Sequence, residues 1–174
     1  MSVGEEPVEE IDGTGSVLRI VTRAEMRSNN LLHRMVAVAV IRTNGRVVVH
    51  QRAPWKDVHP SKWDVAFGGV PAVGESSESA AIRELAEEAG LALDPTQLVD
   101  LGEASSEDSH TRWRGRFFTT IDDAELHPAD GEVVDWKEVA PQDLAAWAAG
   151  TPLPDDTTKV VLPIVLRFLA REFG

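Results

Sequence analysis

Apolar positions are spaced differently in different stretches of the chain, and the spacing predicts the elements. Met35 to Ile41 is an unbroken apolar run rich in β-branched residues, followed by Asn44-Gly45 and then Val47-Val48-Val49. Two strands joined at a tight turn are predicted, the first covered on both faces because no polar position interrupts it. Ser16 to Val21, after the turn signal Asp12-Gly13-Thr14-Gly15, suits a hairpin arm, and Thr22 with Glu25 three residues on suits a helix start. Trp63 to Val70 predicts a third strand ending in Gly68-Gly69, and Arg116 to Ile121 and Glu132 to Trp136 predict two more. The clearest helix is Ser76 to Ala89, stopped by Gly90, with Ile82, Leu85, Ala86 and Ala89 at i, i+3, i+4 and i+7 as one buried stripe. Pro141 opens a short helix to about Ala149. Thr157 to Phe173 reads as a buried helix with Pro163 near its start or at a kink.

Length and composition narrow the class. With 174 residues the chain suits one domain, expected over 10–174 behind a loose acidic tail at 1–9. Hydrophobic residues at 43% and charged residues at 26% are ordinary for a globular protein. No apolar run approaches the length of a membrane span, and Met1 to Asp12 lacks the basic and apolar regions of a signal peptide, so a cytoplasmic protein without membrane contact is expected. Cysteine is absent, which removes disulfides, thiolate metal sites and cysteine nucleophiles together. A net charge of −12 argues against nucleic-acid binding, which needs Lys and Arg clusters. A phosphate-bearing small molecule is still compatible, because a metal ion can supply the positive charge.

The helix at Ser76 carries the chemistry. Glu84, Glu87 and Glu88 stand at i, i+3 and i+4, where like charges cost about 0.2–0.5 kcal/mol per pair and oppose the helix dipole near its C-terminus. Arg83 is the nearby counter-charge and can reach Glu87 at i+4, leaving the other two unpaired. A solvated acidic face is the ordinary explanation of such a cluster. Hard oxygen ligands without His or Cys instead suit Mg²⁺, with Mn²⁺ as a substitute.

The flanking spacing favours the second explanation. Gly69, five residues, Glu75, seven residues and Arg83-Glu84-Leu85-Ala86-Glu87-Glu88-Ala89-Gly90-Leu91 resemble the Nudix signature at every defining position over 23 residues. Chance agreement at the seven fixed residue types is on the order of 10⁻⁸ per start site, which removes coincidence. Gln51-Arg52-Ala53-Pro54-Trp55-Lys56, Trp63-Asp64 and Leu31-Leu32-His33-Arg34 are similar to the isopentenyl-diphosphate isomerase branch of that superfamily, but the isomerase depends on a cysteine acid/base. The likeness to that branch is therefore one of scaffold.

The resemblance implies an α/β fold, a Nudix-type α/β/α sandwich with a mixed β-sheet. It also implies a MutT-like, Mg²⁺-dependent hydrolase that cleaves a diphosphate linkage in a nucleoside diphosphate joined to another moiety X. Glu84, Glu87, Glu88 and the Gly68 carbonyl would hold metal, and Arg83 would orient the carboxylates. Glu84 or Glu132 would be the base, Glu132 being equally readable as an exposed strand residue. Because so acidic a site needs fixed positive charge beside the metal, Arg52 and Lys56 are read either as binding substrate phosphates or as ordinary surface residues. Trp55, Trp63 and Trp113 are core residues or base-stacking ones, and the five histidines show no ligand spacing. A homodimer is the expected assembly. The rival readings are a silent binding or regulatory Nudix domain and a hydrolase of non-nucleotide diphosphates such as prenyl ones. The absence of tyrosine disfavours dinucleoside polyphosphates. Ser105-Ser106, where a proline goes with ADP-ribose hydrolysis, disfavours that substrate as well.

Overall fold

Pro7–Ile11 (β1) and Val17–Thr22 (β2) pair antiparallel across a turn that Asp12 builds, its Oδ1 accepting from the backbone N–H groups of Thr14 (2.8 Å) and Ser16 (3.0 Å). The computed structural model describes residues 3–174, so Met1 and Ser2 of the expected tail lie outside it. The rest of that tail is structured. Val3–Glu5 form a 3₁₀ turn, and Val8 is buried against Val21 and Met26, which ties the segment to the sheet despite its acidic flanks. Helix α1 (Arg23–Ser28) starts as expected, with the Thr22 Oγ1 accepting from the Glu25 N–H. Only half of a capping box forms, because the Glu25 carboxylate is taken by Arg19.

The apolar run becomes β3 (His33–Ile41), which turns at Asn44-Gly45 into β4 (Val47–Arg52). The two pair only at Ile41–Val47 and then diverge. The following segment is divided between them and is not one strand. Trp63–Asp64 (β5) lies on β4 and Phe67–Gly69 (β6) lies on β3, while buried Val65 and Ala66 cross from one to the other. Val99–Glu107 (β7) pairs antiparallel with Arg112–Ile121 (β8), β8 runs parallel to β3, and Val133–Val139 (β9) runs antiparallel to β4. The sheet is therefore mixed. β7 was not evident from its pattern, because VDLGEASSE has no apolar alternation; besides its backbone pairing, ion pairs tie Asp100 and Glu103 to Arg114 and Arg116 of β8.

Helices cover both faces. Val38 and Val40 of β3 join Phe67, Phe118 and the helix α2 (Ser77–Glu84), whereas Ala37, Ala39 and Ile41 join Phe117 and the helices α3 (Leu144–Ala149) and α4 (Leu162–Glu172). This is the α/β/α layering, and it explains the missing polar positions in β3. Pro163 sits in the first turn of α4, directly after a π-helical turn at Thr157–Val161. Among the described residues no helix is long and apolar enough to cross a membrane.

The α2 stripe is rolled relative to expectation. Ala81, Leu85 and Ala89 are fully buried, but Ile82 is only half-buried and Ala86 is exposed. Helix α2 ends at Glu84 and continues as a π-helical turn, Leu85–Ala89, before Gly90 caps it in the left-handed region. A π turn adds a residue per turn and shifts the helical phase of the residues beyond it. The roll already shows at Ile82, ahead of that turn, and Glu84 and Glu88, at i and i+4, lie on the inner face beside Ala81, Leu85 and Ala89.

Candidate metal and diphosphate site

Two carboxylates are buried where α2 and its π turn pass over β6. Glu84 is 8% exposed and Glu88 3%. The Gly68 N–H donates to Glu88 Oε2 at 3.0 Å, linking the glycine pair to the glutamates. A side chain on Gly69 would put its Cβ 2.5 Å from Glu84 Oε1, and one on Gly68 would meet the Val36 carbonyl oxygen at 2.0 Å. Both positions need glycine because of this close approach: Gly69 to reach Glu84, Gly68 to pair tightly with β3.

Arg83 does more than its i+4 spacing predicted. Its guanidinium donates in bidentate fashion to Glu75 (3.0 and 2.9 Å), and its Nη1 serves both Glu84 Oε1 (2.9 Å) and Glu87 Oε2 (3.1 Å). Glu84 is therefore paired, contrary to the expectation from spacing alone, and Glu88 is the carboxylate Arg83 leaves unserved. The side chain of Glu87 is half-exposed and faces Arg83. Hydrogen bonding from Arg83 holds Glu75 below the usual carboxylate range and raises Arg83 itself. Glu84 is nevertheless pushed up, because burial outweighs Arg83. Glu88 is raised much further, first by burial and then by Glu84, with Lys56, Arg52 and the Gly68 N–H opposing.

Positive charge also lies near the glycine pair. A cavity of about 130 Å³ is lined by Gly68, Gly69, Lys56, Arg52, Arg27 and Arg23. Four cations line this cavity beside three carboxylates, Asp57, Asp64 and Asp156, and three of the cations are ion-paired: Arg23 with Glu6, Arg27 with Asp57 and Lys56 with Glu132. Lys56 is ion-paired with Glu132, whose charge is a minor influence on Glu84. Arg52 donates to the Val58 carbonyl, which fixes it at the cavity wall. Spacing did not point to Arg23 or Arg27, since α1 reaches the cavity only through the fold. His33 and His50 are core residues, bonded to the Leu31 carbonyl and stacked on Phe67 respectively, and burial depresses their pKa values to about 4 and about 3. Trp55 is exposed, Trp63 packs edge-on against Trp147, and Trp113 lies buried in the cavity wall.

The NUDIX domain model matches residues 31–158 of the 174. The chain belongs to the Nudix family. An isopentenyl-diphosphate Delta-isomerase of Nocardia farcinica is 34% identical over 84% of this chain and 86% of its own length. An uncharacterized Nudix hydrolase of Yersinia pestis is 31% identical over 81% and 76%. The crystal structure of DR0079 from Deinococcus radiodurans superposes with a TM-score of 0.73 at 21% identity, covering 97% of this chain and all of that one. The enzyme class is that of the Nudix hydrolases, which cleave acid anhydrides in phosphorus-containing compounds and use divalent metal ions.

The residues present fit such an ion. Glu88 is a buried carboxylate with one backbone donor, Glu84 is a second buried one that Arg83 partly compensates, and burial pushes both toward protonation. Among the described residues no three His, Cys, Asp or Glu side chains converge to grip an ion by themselves. A divalent ion held there would take one or two carboxylates from the protein and the rest of its shell from water and substrate.

Proposed function

We propose that this Nudix domain is a magnesium-dependent hydrolase of a nucleoside diphosphate linked to a second group X. The observation that carries the reading is the combination of two buried carboxylates, Glu84 and Glu88, with a cavity that Gly68, Gly69, Arg52 and Lys56 help to line. A divalent ion, when bound, supplies charge for the phosphoryl oxygens and acidifies a water. Glu84 and Glu88, with the Gly68 carbonyl, would hold it, Glu87 adding a water-mediated contact. Arg83 keeps Glu84 in place through a hydrogen bond that the Glu75 fork orients. Lys56 and Arg52 bind the diphosphate oxygens, and Lys56 exchanges its ion pair with Glu132 for phosphate. Glu132, released in that exchange, or Glu84 then accepts the proton of the attacking water.

Isomerisation of a prenyl diphosphate does not fit, because that chemistry depends on a cysteine and the chain has none. The test is a screen of NDP-X compounds with Mg²⁺, read as phosphate release after phosphatase coupling, with isopentenyl diphosphate as the control substrate. Turnover of at least one NDP-X compound, abolished by EDTA, is expected. Absence of turnover across the panel, or isomerisation of isopentenyl diphosphate, would overturn the proposal.

A further inference from the structure

One cation on the cavity wall has a buried donor without a hydrogen-bond partner. The side chain of Arg27, in the last turn of α1, is 24% exposed, and its Nε is buried and unpartnered among the described residues. The carboxylate facing it, Asp57 Oδ2, stands 3.4 Å from that Nε, an ion pair too poorly aligned to be a hydrogen bond, and Asp57 is itself half-exposed. The other cations of the wall are engaged. Arg23 donates to Glu6 at 2.9 Å, Arg52 donates through Nε and Nη2 to the Val58 carbonyl, and Lys56 is paired with Glu132. The remaining carboxylates of the wall are turned to other donors, Asp64 accepting from Val65 and Thr157, and Asp156 from Trp113 and Thr157.

A guanidinium has donors only, and one left unserved at this depth is costly. Like charge adds to the cost. Arg23 lies one turn back on the same face of α1, and Arg52 at the end of β4 also acts on Arg27, so an anion here would relieve repulsion as well as fill the open donor. The cations are also ordered along the cavity. The charges of Lys56 and Arg52 reach Glu88, those of Arg27 and Arg23 reach His33, and Arg52 links the two sets. Arg27 thus lies one position farther from the buried carboxylates than the pair assigned to the diphosphate.

We infer that Arg27 binds a further oxyanion of the substrate, a phosphoryl or carboxyl group lying beyond the diphosphate held by Lys56 and Arg52. The inference rests on the proposed diphosphate reading and deepens it, since it makes X an anionic group. A planar guanidinium matches such a group with a fork of parallel hydrogen bonds, and the loosely placed Asp57 is the partner it would displace.

The test is calorimetric titration in Mg²⁺ with non-hydrolysable ligands. Bis(methylene)triphosphonate is compared with methylenediphosphonate, and the 3-carboxypropyl ester of methylenediphosphonate with its butyl ester, each pair giving a ratio of Kd values. The wild type should favour the ligand with the extra anionic group in at least one pair, and Arg27→Gln should cut that preference about tenfold. The pair affected tells whether the group is phosphoryl or carboxyl. Arg27→Lys keeps the charge, loses the fork and should lose preference as well, which covers the case in which Arg27→Gln does not fold. Arg23→Gln removes the same charge from the same wall, from a side chain already bonded to Glu6, and should change the ratio by less than about threefold. A wild type with no preference in either pair, a fall of less than about threefold in the folded Arg27 variants, or an equal fall in Arg23→Gln overturns the inference. Hydrolysis is not read in this assay, so failure of the enzyme to turn over substrate would count against the proposed function alone.

Discussion

Replacing Gly69 by alanine separates the site from the fold. The added Cβ would lie 2.5 Å from Glu84 Oε1, 2.8 Å from its Cδ and 3.0 Å from Oε2, about 0.9 Å inside the 3.4 Å at which ordinary contact begins. The clash is with the end of a side chain, so the cheapest relief is for the Glu84 carboxylate to swing by about 1 Å, which breaks its 2.9 Å bond from Arg83. Overpacking of this kind costs about 1–3 kcal/mol, whereas a catalytic group misplaced by about 1 Å costs on the order of 10²-fold in rate. Gly69→Ala should therefore fold, melt a few degrees lower and lose about 100-fold in kcat/KM, with a weakened Mg²⁺ dependence. Gly68→Ala is the contrast: its Cβ meets the Val36 carbonyl oxygen at 2.0 Å, within the backbone of β3, and the fold itself should fail. Kinetics on the best NDP-X substrate with Mg²⁺ titrated, alongside thermal melts, distinguish the two. Wild-type kcat/KM in a folded Gly69→Ala protein would refute the reasoning.

The buried carboxylates have consequences for stability as well. Asp64 is raised from 3.8 to about 6, a difference worth about 3 kcal/mol. Because the folded value is the higher one, the penalty is present in full above pH 6 and disappears as pH falls through the folded pKa toward the unfolded one. Asp64→Asn should stabilise the protein by up to about 3 kcal/mol at pH 8, raising Tm by several degrees, and the gain should vanish at pH 4; a pH-independent difference in melting curves would contradict this. Glu88 is raised for the same reason, so Glu88→Gln should raise the metal-free Tm at pH 8 while abolishing the further rise that Mg²⁺ gives the wild type, both read by scanning calorimetry with and without EDTA. Lys56→Met removes a phosphate contact and the partner of Glu132, and should raise KM about tenfold or more; an unchanged KM would place Lys56 outside the substrate site.

Where local pattern determines structure, the sequence was informative. The two-sided burial of β3, the Thr22 cap and the stop at Gly90 all depend on residues within a few positions of one another. The glutamate spacing likewise marked Glu84 and Glu88 as unusual. The roll of α2 was not legible, because which side of the helix turns inward is decided by its packing against β3 and β6, distant in sequence. The division of Trp63 to Val70 into two strands, and the existence of β7, depend on partners distant in sequence. Arg23 and Arg27 share the same limitation. Each is an unremarkable charged residue in its own stretch, and only the fold brings them to one cavity with Lys56 and the glycine pair. The reach of Arg83 to Glu75 was hidden for a similar reason, since Glu75 lies just before the N-cap of α2 and Arg83 in its last turn, beyond the i+4 spacing.

The central claim is that Glu84 and Glu88 act together to hold a divalent ion that drives cleavage of a diphosphate. The most direct measurement is the Mg²⁺ dependence of turnover of the best NDP-X substrate in the wild type, Glu84→Gln and Glu88→Gln. The wild type should be inactive in EDTA and saturate with Mg²⁺, and each variant should lose at least about 100-fold in kcat while remaining folded. Variants that keep wild-type turnover and wild-type Mg²⁺ dependence would contradict the account.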